Sequence, residues 1–576
     1  MRLILKYLKR YKRMFLVNVI SVFGFALVEL GIPTIVAVMI DNGVAAQDGA
    51  YIWKMGGVIL AISLLGVAGT ILLGYCCAWL STSITRDLRN DIFKKTQGFS
   101  HSEYNKFGTS SLITRTNNDA FQIQMFVNIL LRTALMTPVM MVGSIFLVLK
   151  ASLELSVVIL CTIPVIIAGV VIVARCSEPI SEGQQSSLEW INRISRENLS
   201  GIRVIRAFTN DSHEKKRFDE ANQSYMSHSK KLFKLMSVTQ PAFFLLMNIA
   251  GMIIYWISSV MINKGSLQIG ELVAFMDYLF HVMFSIMLFC MVFMMYPKAQ
   301  VSARRITDVL KTEAVIKNDG SGKKLLRPIE EICFDHVDFA YPDGEEAVLK
   351  NISFTASKGE TVAFIGSTGS GKSTLINLIP RSYDVSAGKI TINGEDIRDY
   401  ELQGLRSAIG FIPQKAMLFM GSIADNIRIG KKDASMEEIM HAAKTAQAYD
   451  FIMEKGGFEE QITENATNVS GGQRQRLSIA RALVRKPDVY IFDDSFSALD
   501  FKTDAAVRRA LRKETGEAVV MIVAQRVSSI MDADKILVLD EGSVVGTGTH
   551  RELLKSCPIY REIAASQLSE EELAHA

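Results

Sequence analysis

Thr361-Val362-Ala363-Phe364-Ile365-Gly366-Ser367-Thr368-Gly369-Ser370-Gly371-Lys372-Ser373-Thr374 decides the fold of half the chain. The first five residues form a short apolar run, the pattern of a strand buried on both faces. A full G-x-x-x-x-G-K-S loop follows, and then a helical pattern. Glycines in such a loop let backbone N–H groups converge on phosphate oxygens, and the helix N-terminus adds positive potential. Lys372 is expected to reach the β- and γ-phosphates of a nucleotide, and the Ser373 hydroxyl to ligate Mg²⁺. A chance glycine-rich turn would lack the strand before it and the Lys-Ser pair after it.

Around this loop, short apolar strands alternate with helical periods from about residue 329 onward, the signature of an α/β domain. A polar stretch, Asn318-Asp319-Gly320-Ser321-Gly322-Lys323-Lys324, precedes it. The part before residue 300 is different. Apolar runs near 14–40, 55–84, 124–149, 152–175, 236–262 and 271–296 each exceed the ~20 residues needed to cross a bilayer. The chain has 576 residues, 49% of them hydrophobic, with mean hydropathy +0.22, too long and too apolar for one soluble domain. Lys6, Lys9, Arg10, Lys12 and Arg13 precede the first run as in a signal peptide. That run is long and lacks a small-residue cleavage site, so it is expected to be retained. Residues 3–12 fit a short basic amphipathic helix on the membrane surface.

Lys and Arg concentrate in 85–121 (Arg86, Arg89, Lys94, Lys95) and 176–235 (Arg193, Arg203, Arg206, Lys215, Lys216, Arg217). The loops near 41–54, 150 and 264 carry few. The positive-inside rule therefore places the basic segments and both termini in the cytoplasm. Net charge is only +4, which gives no electrostatic case for nucleic acid. The seven cysteines show neither metal-ligand spacing nor a disulfide framework, and reduced, buried thiols are expected.

Asn468-Val469-Ser470-Gly471-Gly472-Gln473 resembles the signature motif of ABC ATPases, with Val469 in the usual Leu place. The order and spacing of phosphate loop, signature and the acid-ended strand Val489–Asp494 resemble that family across the domain. The resemblance implies several further roles. Tyr341 would stack on adenine, and Gln414 would sense Mg²⁺ and the membrane domain. Asp493 would hold Mg²⁺ through water, Asp500 would form the D-loop, and Glu464 would be the acid of the exporter X-loop. Ser470, Gly471, Gly472 and Gln473 would close on ATP held by an opposite subunit. Two positions depart from the family pattern: Asp494 stands for the general-base glutamate and Gln525 for the histidine of the switch loop. Losing one methylene withdraws the carboxylate by about 1 Å, a misplacement that can cost ~10²-fold. Gln can hydrogen-bond a γ-phosphate but does not titrate near neutral pH.

The membrane half is also similar to exporters of this family. Thr109–Asp119 resembles the first intracellular loop, with Ser110 in a glycine place, and Glu197–Phe208 resembles the second. Such loops lead into coupling helices that press on the ATPase domains. The last apolar run is rich in Met and Phe, and Met287 and Met291 could line a substrate cavity or equally face lipid. Glu29, Asp277 and His281 are ionisable within apolar runs, fit for a cationic substrate or for structural hydrogen bonds.

The fold expected is a bundle of six transmembrane helices fused to a cytoplasmic α/β P-loop ABC ATPase domain. Residues 1–300 would form the membrane domain, 301–328 a linker, 329–568 the ATPase domain and 569–576 a solvated tail. The resemblance implies the degenerate-site half of a bacterial heterodimeric exporter of hydrophobic drugs or lipid-like compounds. It would be an ATP-dependent translocase, multi-pass in the cell membrane, needing ATP and Mg²⁺, with low turnover at its own site. Its partners would be the bilayer, a hydrophobic small molecule and a catalytically competent second half. A peptide or lipid exporter, an ATP-gated channel and a regulatory sensor of the same fold are the alternatives. A processing-peptide exporter is the less expected, because no protease domain precedes the first helix.

Overall fold

The computed structural model describes residues 2–316, 322–325, 327–342 and 344–568, without the side chains of Cys290 and Met294. The expected tail 569–576 and much of the polar stretch before 322 lie outside the described residues. Two compact units divide the chain: Met1–Thr96 with Ser110–Lys311, and Gln97–Thr109 with Thr312–Ala576.

In the first unit six helical spans are long and apolar enough to cross a membrane: Arg2–Val44, Gly49–Gln97, Thr109–Ala151, Leu153–Ala207, Asp211–Asn263 and Ile269–Lys311. Even the shortest, at 43 residues, is about 65 Å long at 1.5 Å per residue, roughly twice a ~30 Å hydrocarbon layer. The basic segments therefore lie on the same continuous helices as the apolar ones and extend beyond them. The last helix runs on to Lys311, through the residues expected to open the linker. Many large side chains are uncovered within this chain, among them Leu27, Leu65, Ile71 and Trp256. Lipid covers such surface without cost, which water does not.

Polar side chains pin the helices together at chosen depths. The buried Asn18 amide donates to the Leu131 carbonyl (3.0 Å) and accepts from the Cys77 thiol (3.1 Å), joining three helices. Thr34 and Tyr278 share a hydroxyl contact of 2.6 Å between the first and sixth helices. At the amphipathic start, Tyr7 donates to Asp91 (2.6 Å) and Tyr11 to Asp87 (2.8 Å), so residues 2–11 are bound to the second helix. At the other end, Asp41 accepts from the Gly270 N–H (2.7 Å) and thereby caps the last membrane helix from a neighbouring one.

The sixth helix is the most buried of the six. Its methionines divide along its length. Met283 is fully buried among Leu30, Ile254 and Leu279, Met276 packs against the same cluster, Met287 is half-buried and Met291 is exposed. Upper-helix methionines are thus packing residues of the bundle. Glu29 and His281 are half-buried and Asp277 is exposed. The six described thiols are free, but Cys161 and Cys176 are exposed, which corrects the expectation of buried thiols. Both lie on a span whose apolar surface the rest of the chain leaves uncovered.

Among the described residues the second unit holds twelve strands. β1 (Glu331–Phe339), β2 (Leu349–Ser357), β4 (Ala387–Ile392) and β5 (Glu395–Asp396) form an antiparallel sheet in the order β2-β1-β4-β5. β3 (Thr361–Gly366), β6 (Ile409–Ile412), β9 (Val489–Asp493), β10 (Val519–Val523), β11 (Lys535–Asp540) and β12 (Ser543–Gly548) form the second, ordered β12-β11-β3-β10-β9-β6. β7 (Gly421–Ser422) and β8 (Gln461–Ile462) pair separately. Only β12 is antiparallel in the large sheet. β9 and β10 are buried along their whole length; β10 reads as an unbroken apolar run and β9 as one up to its terminal Asp493, because both faces of a parallel sheet are covered. The register aligns Val523 with Phe364 and with Asp493, and Ile412 with Phe492. Four neighbouring strands therefore end together on one edge.

The cap at Gly270 yields a test. A Cβ there would run into the Ala37 carbonyl oxygen and the Asp41 carboxylate, whereas one at Gly69 would meet open space. Gly270→Ala is expected to destabilise the detergent-solubilised protein by about 1–3 kcal/mol. Gly69→Ala is expected to be neutral or stabilising by up to about 1 kcal/mol. Equal melting temperatures for the two variants would refute the cap.

Candidate nucleotide-binding site

The loop after β3 turns where only glycine is at ease: φ is +90° at Gly369 and +94° at Gly371. A Cβ on Gly371 would press into the Leu349 side chain. The helix Lys372–Leu378 starts there, so its first N–H groups face the loop. Thr368, Gly369, Gly371, Lys372, Ser373 and Thr374 line a cavity of about 370 Å³ together with Gln414, Asp494 and Gln525. Gly366, Ser367 and Ser370 build the loop behind it. Lys372 is folded back, its Nζ donating to the Gly366 (2.9 Å) and Ser367 (2.7 Å) carbonyls. Burial pulls its pKa below the ordinary lysine value, against the opposing charges of Asp494 and Asp493.

Across the cavity mouth, Ser373 donates to Asp493 Oδ1 (2.8 Å), bringing a hydroxyl and a carboxylate together on one spot. Burial raises the Asp493 pKa, the Ser373 bond opposes it, and the charge of Asp494 adds to it. A hydroxyl and a buried carboxylate are hard oxygen donors of the kind Mg²⁺ takes, so these two residues fit that ion. Asp494 follows, with 7% of its surface exposed and a left-handed φ of +45°. Its Oδ2 accepts from Gln525 Nε2 (2.8 Å) and from Gln414 Nε2 (3.2 Å). The ends of β6, β9 and β10 are thus clasped by two amides on one carboxylate oxygen. Tyr341 stands beside the cavity, its hydroxyl on Thr374 (2.9 Å) and its ring edge-on to Phe339 and Tyr383.

Residues 15–312 match the ABC transporter transmembrane region, and residues 349–497 match the ABC transporter ATPase family. The chain belongs to the ABC transporter family. It is 38% identical to YfiB of Bacillus subtilis, an ABC transporter ATP-binding protein without assigned function, over 98% of each chain. Identity is 30% to a Staphylococcus aureus protein provisionally named as a multidrug export ATP-binding/permease protein, covering 98% of this chain and 99% of that one. The fold matches a bacterial Atm1-family ABC exporter solved with ATP bound, at TM-score 0.82 and 24% identity, over 97% of this chain and 99% of that one. The chain is therefore an ABC exporter with its membrane and ATPase domains fused, acting with ATP.

The signature of this ABC transporter is placed away from its own phosphate loop. Ser470 caps the helix Gly471–Leu483: its hydroxyl accepts from the Gln473 N–H (3.2 Å), and Gln473 Oε1 accepts from the Ser470 N–H (2.9 Å). Ser470 and Gly471 are exposed, Val469 is buried beneath them, and none of the four signature residues lines the cavity. Asp500 caps the helix Phe501–Glu514 by accepting from the Thr503 N–H (2.9 Å). Glu464 is exposed, and Asn465 and Ala466 beside it have φ of +58° and +51°. An alanine in that conformation costs about 1–2 kcal/mol that a glycine would avoid.

Sequence reasoning missed the helix His101–Phe107. It belongs by its contacts to the ATPase unit, Asn105 donating to the Tyr383 hydroxyl (3.1 Å) and Glu103 accepting from the Val315 N–H (3.2 Å). Its capping box, Ser100 with Glu103, was readable as S-x-x-E. The membrane unit holds the next helix through the motif residues themselves: Ser302 donates to Asp119 (2.7 Å) and Arg115 to the Arg305 carbonyl (2.9 Å).

Lys372→Ala removes the cation from the cavity. ATP binding is expected to weaken by roughly 10- to 100-fold, the worth of a charge-assisted contact at ~1.5–3 kcal/mol. Equilibrium binding of a fluorescent ATP analogue measures it, and unchanged occupancy would show the loop to be mis-assigned.

Proposed function

We propose that this chain is the degenerate-site half of a heterodimeric ABC exporter, moving hydrophobic drugs or lipid-like compounds outward with hydrolysis mainly at its partner's site. The observation that carries the reading is the clasp on Asp494. A general base must present its carboxylate to a water beside the γ-phosphate. Here the carboxylate is one methylene short, and its Oδ2 already accepts two amide hydrogens. Gln525 can orient a phosphate but does not exchange a proton near neutral pH. The binding elements are kept, with Lys372, Ser373 and Asp493 for ATP and Mg²⁺, and Tyr341 for the adenine. Ser470 and Gly472 remain free to complete a second subunit's site.

Other features support the remaining parts. Leu199 and Val204 in the last turns of the helix Leu153–Ala207, and Phe208 just after it, are exposed, Phe208 by 79%, as suits a hairpin that seats on another subunit. The basic helix extensions favour a multi-pass protein of the bacterial cell membrane with cytoplasmic termini. A multidrug role is the one named for the Staphylococcus aureus relative. Met287 is half-buried and Met291 exposed, unlike the fully buried Met283, which supports a contact with an apolar cargo at these two positions.

Two experiments test this. The chain purified alone is expected to hydrolyse ATP slowly. Co-purified with its partner, Asp494→Asn should lower turnover by no more than about threefold. Ser470→Arg should remove nearly all of it, since acid–base catalysis at an active site is worth ~10²–10⁴. Equal damage from both would make this half a main hydrolytic centre. In cells, Met287→Ala and Met291→Ala should change the order of preference among effluxed dyes while basal ATPase activity holds. Uniform loss across dyes would mean a packing defect instead.

A further inference from the structure

The loop that presents Gln525 is gripped from behind by a residue near the end of the described chain. Gln567 Nε2 donates to the Gln525 carbonyl oxygen (2.9 Å), and Gln567 Oε1 accepts from the Val527 N–H (2.8 Å). A backbone carbonyl only accepts and a backbone N–H only donates, so one orientation of this amide serves both. The two bonds bracket Arg526. Gln525 is therefore held twice, by its backbone to Gln567 and by its side chain to Asp494 (2.8 Å).

Gln567 itself stands on firm ground. It follows the helix Pro558–Ala565, and its N–H donates to the Ala564 carbonyl (3.0 Å). Tyr560 and Ala564 are fully buried, and Leu568 packs against the same core. The Gln567 side chain, by contrast, is exposed. Hydrogen bonds open to water add little to stability, because water competes for both partners. A bidentate grip on two loop residues that flank a third fixes where the loop sits. The ladder ends where Ala524 donates to Phe364 (3.1 Å). Beyond it the buried Val527, the Arg526 guanidinium over the Phe501 ring and the Arg508 bond to the Ser528 carbonyl (2.9 Å) also tie the loop, but the Gln525 backbone carbonyl is met by Gln567.

We infer that Gln567 is a positioning residue for the nucleotide site, holding the switch loop so that Gln525 meets the γ-phosphate of ATP. The inference rests on the reading above that Gln525 faces that phosphate. It assigns a role in the ATP response to the C-terminal helix, which contributes nothing to the cavity lining.

The test uses the full chain in lipid nanodiscs, with ATP and ADP each competing against a fluorescent nucleotide in the presence of Mg²⁺. Gln567→Ala and the near-isosteric Gln567→Met should each weaken ATP by about three- to tenfold, the worth of one or two neutral hydrogen bonds. ADP affinity should stay within about twofold, because ADP lacks the phosphate concerned, and the melting temperature should stay within about 2 °C. Gln525→Ala should show the same selectivity, and the double variant should be no worse than Gln525→Ala alone. Equal weakening of ATP and ADP, full additivity, or normal behaviour of Gln567→Met would overturn the inference. So would an unaffected Gln567→Ala beside a selective Gln525→Ala. If Gln525→Ala treats ATP and ADP alike, the γ-phosphate role of Gln525 fails, and the inference fails with it. Lys372→Ala, weak for both nucleotides, reports separately on whether the site is the nucleotide site.

Discussion

A parallel sheet covered on both faces admits no charge along its strands, so its polar chemistry is driven to the strand ends. Everything in the ATPase unit follows from that constraint. β3, β10, β9 and β6 lie side by side in register. Their C-terminal ends deliver, in spatial order, the phosphate loop, Gln525, Asp493 with Asp494, and, two residues beyond Ile412, Gln414. None of these residues is near another in sequence except the two aspartates. The site is a row of four loops whose spacing is set by the strand separation, about 4.8 Å. This explains why amide side chains, with their longer reach, occupy the flanking loops, while short carboxylates occupy the centre.

The membrane unit obeys a complementary constraint. Helices satisfy their own backbone, and lipid offers nothing to the rest, so buried polar side chains gain most where they find protein partners. Asn18, Thr34, Tyr278 and Asp41 all do so, each across a helix interface. Such contacts orient helices that apolar packing alone would leave free to rotate. The buried Met283 and Met276 fill irregular space in the same bundle. The gradient toward Met291 marks where that packing ends.

Much of this was legible from the residues. The phosphate loop, the acid-ended strand and the signature are contiguous motifs, each read by local pattern, and the six membrane helices announced themselves by length. What stayed hidden was pairing across sequence distance. Nothing local says that Gln525 and Gln414 share one oxygen of Asp494, because the contacts span 31 and 80 residues. Gln567 carries no motif at all; its role comes from where a buried helix happens to set it down. The allegiance of His101–Phe107 was invisible for another reason: its charged surface fits a solvated helix as well as a docked one. The expectation of buried thiols failed at Cys161 and Cys176, because an apolar neighbourhood in sequence does not distinguish lipid-facing from protein-facing positions.

The two departures at the site make sense as a pair. Asp494 sits 7% exposed in a strained, left-handed conformation, and its Oδ2 must be satisfied by protein. Gln414 alone offers a long bond of 3.2 Å, and the 2.8 Å bond comes from Gln525. A glutamate at 494 would push its carboxylate about one methylene into the space these amides occupy. A histidine at 525 would present a ring nitrogen at a different reach from the amide. Each substitution alone would leave the neighbouring buried group crowded or under-bonded, a cost of about 1–3 kcal/mol. The aspartate and the glutamine therefore form one hydrogen-bonded unit. In this structure both polar atoms of that pair, the Asp494 Oδ2 and the Gln525 amide, are spent on each other beside the cavity.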